Sequence, residues 1–397
     1  MNFWLGVLIF VLGLTISVVL HEAGHFLFAR RFGMKATEFF VGFGPRMWSC
    51  RRGETEYGFK WILVGGYVKI LGMTPLEPLS EADRPRAFYR QRGWRRAVVL
   101  VSGSIVNVVL AFLLFALVVM VLGRPVAGKG TNVVERVSPC VSAASAECGP
   151  GDPPSPARAA GLRPGDRIVS LAGKPTPDWF HLSETIQRAP AGRVPVVVER
   201  GGRTETLTVD LVRAPDGERS FLGVVARQTP GRVEYYGPVE AVAFAGRMIG
   251  ETVGGIVEVL ASLPAALPKL FTPERGDTAG GQVSSIVGAA QISGELGELG
   301  QTWQARVRAW LLLLASLNMF VGMFNLLPLL PLDGGHLAVL AYERTRALVA
   351  RRRNLPDPGP VDYQKLAPVT VLGFVLLLGL GLLLIAADIT NPLKVLQ

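Results

Sequence analysis

Hydrophobic positions gather into four runs along the chain. Phe3 to Leu20 carries no charge, and Phe26-Leu27-Phe28 prolongs it beyond a polar interruption. Ala97 to Leu122, Trp310 to Leu332 and Val369 to Ala387 follow. A bilayer-crossing helix needs roughly 20 such residues, so each run predicts a transmembrane helix. The pattern changes between them. Alternation at Tyr57, Phe59 and Trp61 predicts a strand. Arg167 to Leu171, Val194 to Arg200 and Thr204 to Val212 read as strands, the last two joined at Gly201-Gly202, with a helix over Trp179 to Arg188. Residues 238–300 place Val239, Val242, Ile249, Val253, Ile256 and Val257 on one helical face, ended by Leu263 to Pro268 with its two prolines. That region is expected to lie on the outer membrane surface and help gate access.

Composition agrees with a membrane protein. Of 397 residues 49% are apolar and only 18% charged, against about 25% charged in soluble domains. The net charge of +10 points either to nucleic acid or to the cytoplasmic face of a membrane, and its distribution decides. Residues 29–96 hold 14 Lys and Arg against 6 acids, and 337–368 hold 6 against 3. The long segment 123–310 holds 20 against 19. Both short loops are basic, so they are expected in the cytoplasm, with both termini and the long segment outside. The basic excess thus records topology, and the expected partner is a lipid bilayer with no nucleic acid. The first run has no Lys or Arg before it, which argues against a cleaved signal peptide.

Only four histidines are present, and two form His21-Glu22-Ala23-Gly24-His25 inside the first hydrophobic helix. Positions i and i+4 share a helix face, so two imidazoles can bind one Zn²⁺ with the adjacent Glu22 as general base. Ionisable residues within a span are costly and mark function. A catalytic zinc takes three protein ligands. Asp333 in Leu332-Asp333-Gly334 supplies a carboxylate, presented where two prolines and two glycines break the third helix, and His336 is a second candidate. His21 lies ~27 Å along its helix from Phe3, in a hydrocarbon core ~30 Å thick. Both half-sites therefore reach one depth, just inside the cytoplasmic boundary.

An H-E-x-x-H in a first span and an L-D-G in a later one resembles the site-2 protease family of intramembrane zinc metalloproteases. The resemblance covers nearly the whole chain. Gly65-Gly66-Tyr67-Val68-Lys69-Ile70 is similar to the family's G-G-Y-V-K segment, a cytoplasmic membrane-associated β-hairpin beside the active site, and Val41-Gly42-Phe43-Gly44-Pro45 matches another recurrent stretch. The family's G-P-x-x-N reads Gly103-Ser104-Ile105-Val106-Asn107 here, with Ser for Pro, and Asn325, Pro328 and Asp333 match N-x-x-P-x-x-x-x-D. The layout is closest to bacterial four-span, single-PDZ members, especially mycobacterial and other actinobacterial ones. Read this way, His21, His25 and Asp333 hold one Zn²⁺ and Glu22 moves the proton of the attacking water. Asn325 and Asn107 either serve the reaction, by stabilising its transition state or holding substrate backbone, or act as interhelical hydrogen-bond glue. Gly66 and Tyr67, on the hairpin, and Pro328 complete the expected substrate-binding set.

Pro156 to Ile168 resembles the A-x-x-A-G-L-x-x-G-D-x-I signature of bacterial PDZ domains, and Phe221-Leu222-Gly223-Val224 resembles the loop that captures a peptide carboxylate. Such a domain either captures substrate or excludes substrates whose ectodomain is intact. Cys140 and Cys148 sit in a Pro/Ala/Gly-rich insert of this outer segment, where a disulfide is expected. The fold expected is an α-helical polytopic membrane protein with four transmembrane helices, a cytoplasmic membrane-associated β-hairpin and an extracytoplasmic α+β PDZ domain. Its parts run as first helix (1–28), cytoplasmic hairpin loop (29–96), second helix (97–123), PDZ domain (124–232), amphipathic region (233–306), third helix with the L-D-G (307–336), cytoplasmic loop (337–368) and fourth helix (369–390). The resemblance implies single-pass membrane substrates such as anti-sigma factors already cut by an upstream site-1 protease, with remnant signal peptides as a further class. A catalytically silent PDZ scaffold would need a lost ligand or base. A metal transporter would bind metal without needing Glu22.

Overall fold

The computed structural model describes residues 3–73, 77–126, 128–141, 148, 152–213, 219–277, 279–298, 302–356 and 358–393. The chain forms two compact units, one of Met1–Gly123 with Tyr235–Gln397 and one of Arg124–Glu234.

The first unit is built on long helices. α1 (Phe3–Arg31), α2 (Gly93–Leu117, continued by a π-helical turn to Leu122), α5 (Pro238–Ala266), α7 (Trp303–Asn325) and α9 (Tyr363–Thr390) are each long and apolar enough to cross a membrane. Four of these correspond to the apolar runs. The fifth, α5, covers the segment expected to lie on the surface. It is the helix read from the apolar face of Val239 to Val257, and it ends at Ala266, within the proline-bearing stretch expected to end it. α6 (Ile286–Glu298) packs on α1, where Ser293 donates its hydroxyl to the Gly6 carbonyl. A Cβ at Gly6 would fall inside the Ser293 backbone, so glycine sets this crossing.

The third apolar run does not continue as one helix. α7 stops at Asn325, because Pro328 and Pro331 cannot donate to a helical ladder. Helix α8 (Asp333–Arg352) then starts afresh with Asp333 at its first position. The start of segment 337–368, expected as a loop, is therefore helical to Arg352.

Between α1 and α2 lie β1 (Ala36–Arg52) and β2 (Thr55–Ile70), an antiparallel pair with many register shifts. Residues 38–41 pair with 66–69 on one side and with 56–59 on the other, so both strands bend. Gly42, at φ +90°, permits the bend: a Cβ there would lie 2.7 Å from the Ile62 carbonyl. Phe43, Trp48, Trp61 and Ile62 stay exposed on this ribbon.

The second unit is an α+β domain. β3 (Arg124–Val126) pairs with β11 (Arg232–Glu234). The main sheet runs β10 (Val224–Gln228), β4 (Gly130–Val137), β5 (Arg167–Leu171), β7 (Gly192–Arg200), β8 (Arg203–Arg213) and β9 (Ser220–Phe221), with β6 (Lys174–Pro175) beside β5. α3 (Pro156–Ala159) and α4 (Trp179–Arg188) complete it. Ile168, Leu171, Val196, Val198, Val209 and Leu211 from the sheet close the core with Leu182 of α4. The Gly165-Asp166 pair has a visible purpose. Asp166 is 1% exposed and takes a forked pair of 2.7 Å bonds from Arg200, while the Arg163 N–H donates to it at 2.8 Å.

Burial alone would push the Asp166 carboxyl up, but the Arg200 guanidinium and the Arg163 amide hold it below the ordinary carboxylate range. A group so depressed adds stability above its unfolded value, near 3.9, and that share is lost as pH falls through the folded value. Arg200→Met is expected to destabilise this unit by about 2 kcal/mol at neutral pH by stranding a buried charge. Asp166→Asn is expected to flatten the acid limb below pH ~4. Hydrogen exchange of the β5 and β7 amides in the full chain, followed against pH, checks both.

Candidate metal centre

His21 and His25 lie one turn apart on the buried face of α1, their Nε2 atoms 3.1 Å from each other. Asp333 comes in from the N-terminus of α8, with Oδ2 at 3.5 Å from His21 Nε2 and 3.2 Å from His25 Nε2. These three ligand atoms all lie within 4.8 Å of one another. His25 Nδ1 is 2.7 Å from the Val99 carbonyl of α2. A carbonyl only accepts, so Nδ1 carries the proton and the Nε2 lone pair faces Asp333. The His25 lone pair, the His21 Nε2 atom and a carboxylate converge on one buried point, where a cation would be held. Two imidazoles and one carboxylate in that arrangement fit a zinc ion.

The surroundings keep room for the site. A Cβ on Gly103 of α2 would stand 2.6 Å from His21 Nε2 and closer still to His25 Nε2. A Cβ on Gly24 would lie 2.9 Å from the Ser102 carbonyl. Neither the Val99 acceptor nor the steric role of Gly103 was evident from the sequence, although the Gly-x-x-x-Asn pattern marked the segment. Asn325, the last residue of α7, brings its amide nitrogen to 3.3 Å from His21 Nε2.

Two cavities meet here. One of about 140 Å³ runs along α1 and α7 away from Asp333, lined by Ser17, Asn107 and Asn318 among others. The other, about 260 Å³, is lined by His25, Tyr67, Val68 and Asp333. His21, Glu22 and Asn325 line both. A buried triad that could hold a metal ion, an adjacent carboxylate and an approach from either side are compatible with hydrolytic chemistry.

A profile of Peptidase family M50 matches residues 9–355. The chain belongs to that family. It is 37% identical over 417 residues to the zinc metalloprotease Rip1 of Mycobacterium tuberculosis, covering 100% of both chains. It is 34% identical over 414 residues to Rip1 of Mycolicibacterium smegmatis, again over 100% of both. This M50 peptidase is thus a zinc metalloprotease of the site-2 protease family, with Zn²⁺ as cofactor and a body integral to the membrane.

The other expected site residues of this M50 peptidase are distributed as follows. Gly66 lines the smaller cavity, where a Cβ would meet the Phe40 carbonyl at 3.1 Å. Tyr67 lines the larger one and donates its hydroxyl to Glu38 at 2.6 Å. Asn107 is 1% exposed, and its carbonyl oxygen has no partner among the described residues. Pro328 is exposed and lines neither cavity; it ends α7. His336, half-buried one turn into α8, stands apart from the converging triad. In the second unit, the carbonyls of Leu222 and Gly223 accept from Ala157 and Ser138, Phe221 is half-buried, and Val224 opens the edge strand β10. Cys140 and Cys148 are joined by a disulfide, and Cys50 is an exposed thiol on β1. The rest of that insert, 142–147 and 149–151, lies outside the described residues.

Gly103→Ala is expected to lower zinc affinity about tenfold or more, in the range seen for disturbed ligand surroundings. Zinc retained after dialysis against graded chelator, compared with wild type and with His25→Ala, measures it.

Proposed function

We propose that this zinc metalloprotease cuts the transmembrane segments of single-pass proteins, with His21, His25 and Asp333 as metal ligands and Glu22 as general base. One observation carries the reading: Glu22 borders both cavities at the point where the three ligand atoms converge. The bound zinc would polarise the scissile carbonyl and acidify the attacking water. Glu22 accepts that water's proton and returns it to the leaving amine. Asn325 donates from its amide toward charge developing on the carbonyl oxygen, a role suited to its place 3.3 Å from His21 Nε2.

A helical segment hides its carbonyls in its own ladder and must extend before it can be attacked. The 66–70 stretch of β2 pairs with β1 on one side and borders the cavities with Gly66, Tyr67 and Val68. Its other edge suits an added substrate strand. In the second unit, read as a PDZ domain, β10 is an edge strand beside Phe221–Val224 and offers a peptide-binding edge, either to capture substrates or to screen out those with intact ectodomains. The substrates follow as anti-sigma factors or similar single-pass proteins already trimmed outside by a site-1 protease, and remnant signal peptides. The charge pattern sets the orientation: basic loops and cut site at the cytoplasmic face, termini and PDZ unit outside.

Co-expression of a tagged single-span substrate is expected to give cleavage with wild type and a drop of at least about a hundredfold with Glu22→Gln, zinc content being unchanged. Equal cleavage by the variant would overturn the assignment. Cys50 tests orientation without engineering. A membrane-impermeant maleimide is expected to label it in inverted vesicles and not in intact cells, and the opposite pattern would reverse the topology.

A further inference from the structure

We propose that the cavity running along α1 and α7 away from Asp333 is a backbone-reading subsite. In it, the side-chain carbonyls of Asn318 and Asn107 accept hydrogen bonds from peptide N–H groups of the unwound substrate. The inference rests on the protease reading above and adds Asn318, with the ligand chemistry of that cavity.

The orientation of Asn318 is fixed by its neighbours. Its nitrogen lies 2.8 Å from the Leu314 carbonyl and 2.9 Å from Ser17 Oγ. Leu314 can only accept. Ser17 already donates its hydroxyl proton to the Gly13 carbonyl at 2.8 Å, so it too can only accept here. Both bonds require the NH₂ end of the amide, which leaves the oxygen on the other side. Among the described residues that oxygen has no partner, and neither has the Asn107 oxygen, although both residues are 1% exposed and both line the cavity. An orphaned buried acceptor costs roughly 1–3 kcal/mol, so two carried by residues that line one small cavity call for a donor. Gly322 makes the arrangement possible: a Cβ there would meet Asn107 Cβ and the Ser104 carbonyl at 3.1 Å.

The complementary donor is what unwinding creates. Inside a membrane each peptide N–H released from its helix is costly until it finds an acceptor. Side-chain carbonyls satisfy it whatever the residue, so the subsite senses whether the backbone is free rather than which side chain it bears. Position can be read off as well. Asn318 and Asn325 are two helical turns apart, a rise of ~10.5 Å, which an extended chain covers in about three residues. The N–H bound by Asn318 therefore lies about three residues from the scissile bond, on the side away from Asp333.

The test uses the full-length, zinc-loaded enzyme in detergent and semisynthetic single-span substrates, each carrying one backbone ester in place of an amide. An ester removes the N–H and leaves the side chain unchanged. Wild type is expected to lose about tenfold in kcat/KM when the ester sits about three residues from the scissile bond and little at distant positions. Asn318→Leu is expected to lose about tenfold on the all-amide substrate and nothing further on that ester. Should Asn318→Leu fail to accumulate, Ser17→Ala, which loosens the amide without touching the cavity carbonyl, is expected to shrink the ester effect severalfold. An ester penalty of equal size in wild type and variant, or none at any position, overturns the subsite and makes the cavity a water chamber. Failure of wild type to cut the all-amide substrate would instead sink the protease reading.

Discussion

α1 and α2 touch where Gly24 meets the Ser102 carbonyl and Gly103 meets the two imidazoles. The metal centre depends on that closeness. With side chains at both positions the helices would stand apart, and the Val99 carbonyl would leave His25 Nδ1, which it now holds at 2.7 Å. The proton would then be free to sit on either ring nitrogen, and the lone pair needed for a metal would no longer be fixed inward. A backbone carbonyl can serve as orienting group here because its oxygen accepts more than one hydrogen bond. Ser102 takes the second share, donating to Val99 at 2.7 Å.

The third proposed ligand, Asp333, arrives from another direction, and its placement is over-determined. Gly334 and Gly335 press against the backbone of Leu326, Leu327, Leu329 and Leu330, so the broken segment folds back on the start of α8 without intervening side chains. At the far side, Glu343 of α8 accepts from Arg96 of α2 at 2.9 Å, both side chains 9% exposed, and from the Val361 N–H at 3.0 Å. The Arg96 guanidinium also lies over the Phe88 ring, 5.2 Å from its centre. This pair ties the helix bearing Val99 and Gly103 to the helix bearing Asp333. Buried ion pairs add little net stability against an apolar alternative but penalise any other register. Fixing the angle between two ligand-bearing helices is the use that suits it. A second buried pair, Arg275 with Asp388, ties the segment after α5 to the end of α9, with Arg275 also donating to the carbonyls of Gly281, Val283 and Asn391.

Much of the centre was legible because membrane sequences make polar residues conspicuous. His21, Glu22, His25 and Asp333 stand out from apolar runs, and 3.6-residue geometry puts the two imidazoles on one face without reference to the rest of the fold. Strands β5, β7 and β8 were legible from alternation and from the Gly201-Gly202 turn. What escaped was whatever depends on partners distant in the chain. The packing of α5 escaped, because the residues that cover its small side chains, such as Ala241 and Ala245, come from α2 and α7. The end of α7 and the fresh start of α8 were legible as a break but not as two helices, since both sides of the break are apolar or helix-compatible. The double pairing of 38–41 cannot be read from either strand alone. Asn318 was passed over although it stands two turns before Asn325, because a single asparagine in a span is as compatible with helix-to-helix bonding as with a ligand. Only its orientation separates the two.

That orientation joins the architecture to the chemistry. Every polar group within a bilayer must be satisfied by the protein, by water or by a neighbouring chain. The enzyme obeys this where it is finished: the broken stretch between α7 and α8 spends its backbone groups on local turns, with Leu326, Leu327, Leu329 and Leu332 each donating to a carbonyl two or three residues back. It departs from the rule at His21 Nδ1, Ser104, Asn107 and Asn318, which keep buried polar atoms without partners among the described residues, around the place where cleavage is proposed. A substrate helix is in the opposite condition, satisfied until it is opened. Opening it transfers unmet hydrogen-bonding capacity from the enzyme's side chains and the substrate's backbone into bonds between them. The cost of unwinding a helix in lipid, which would forbid hydrolysis anywhere else in the bilayer, is thereby lowest at the site that holds the proposed zinc ligands.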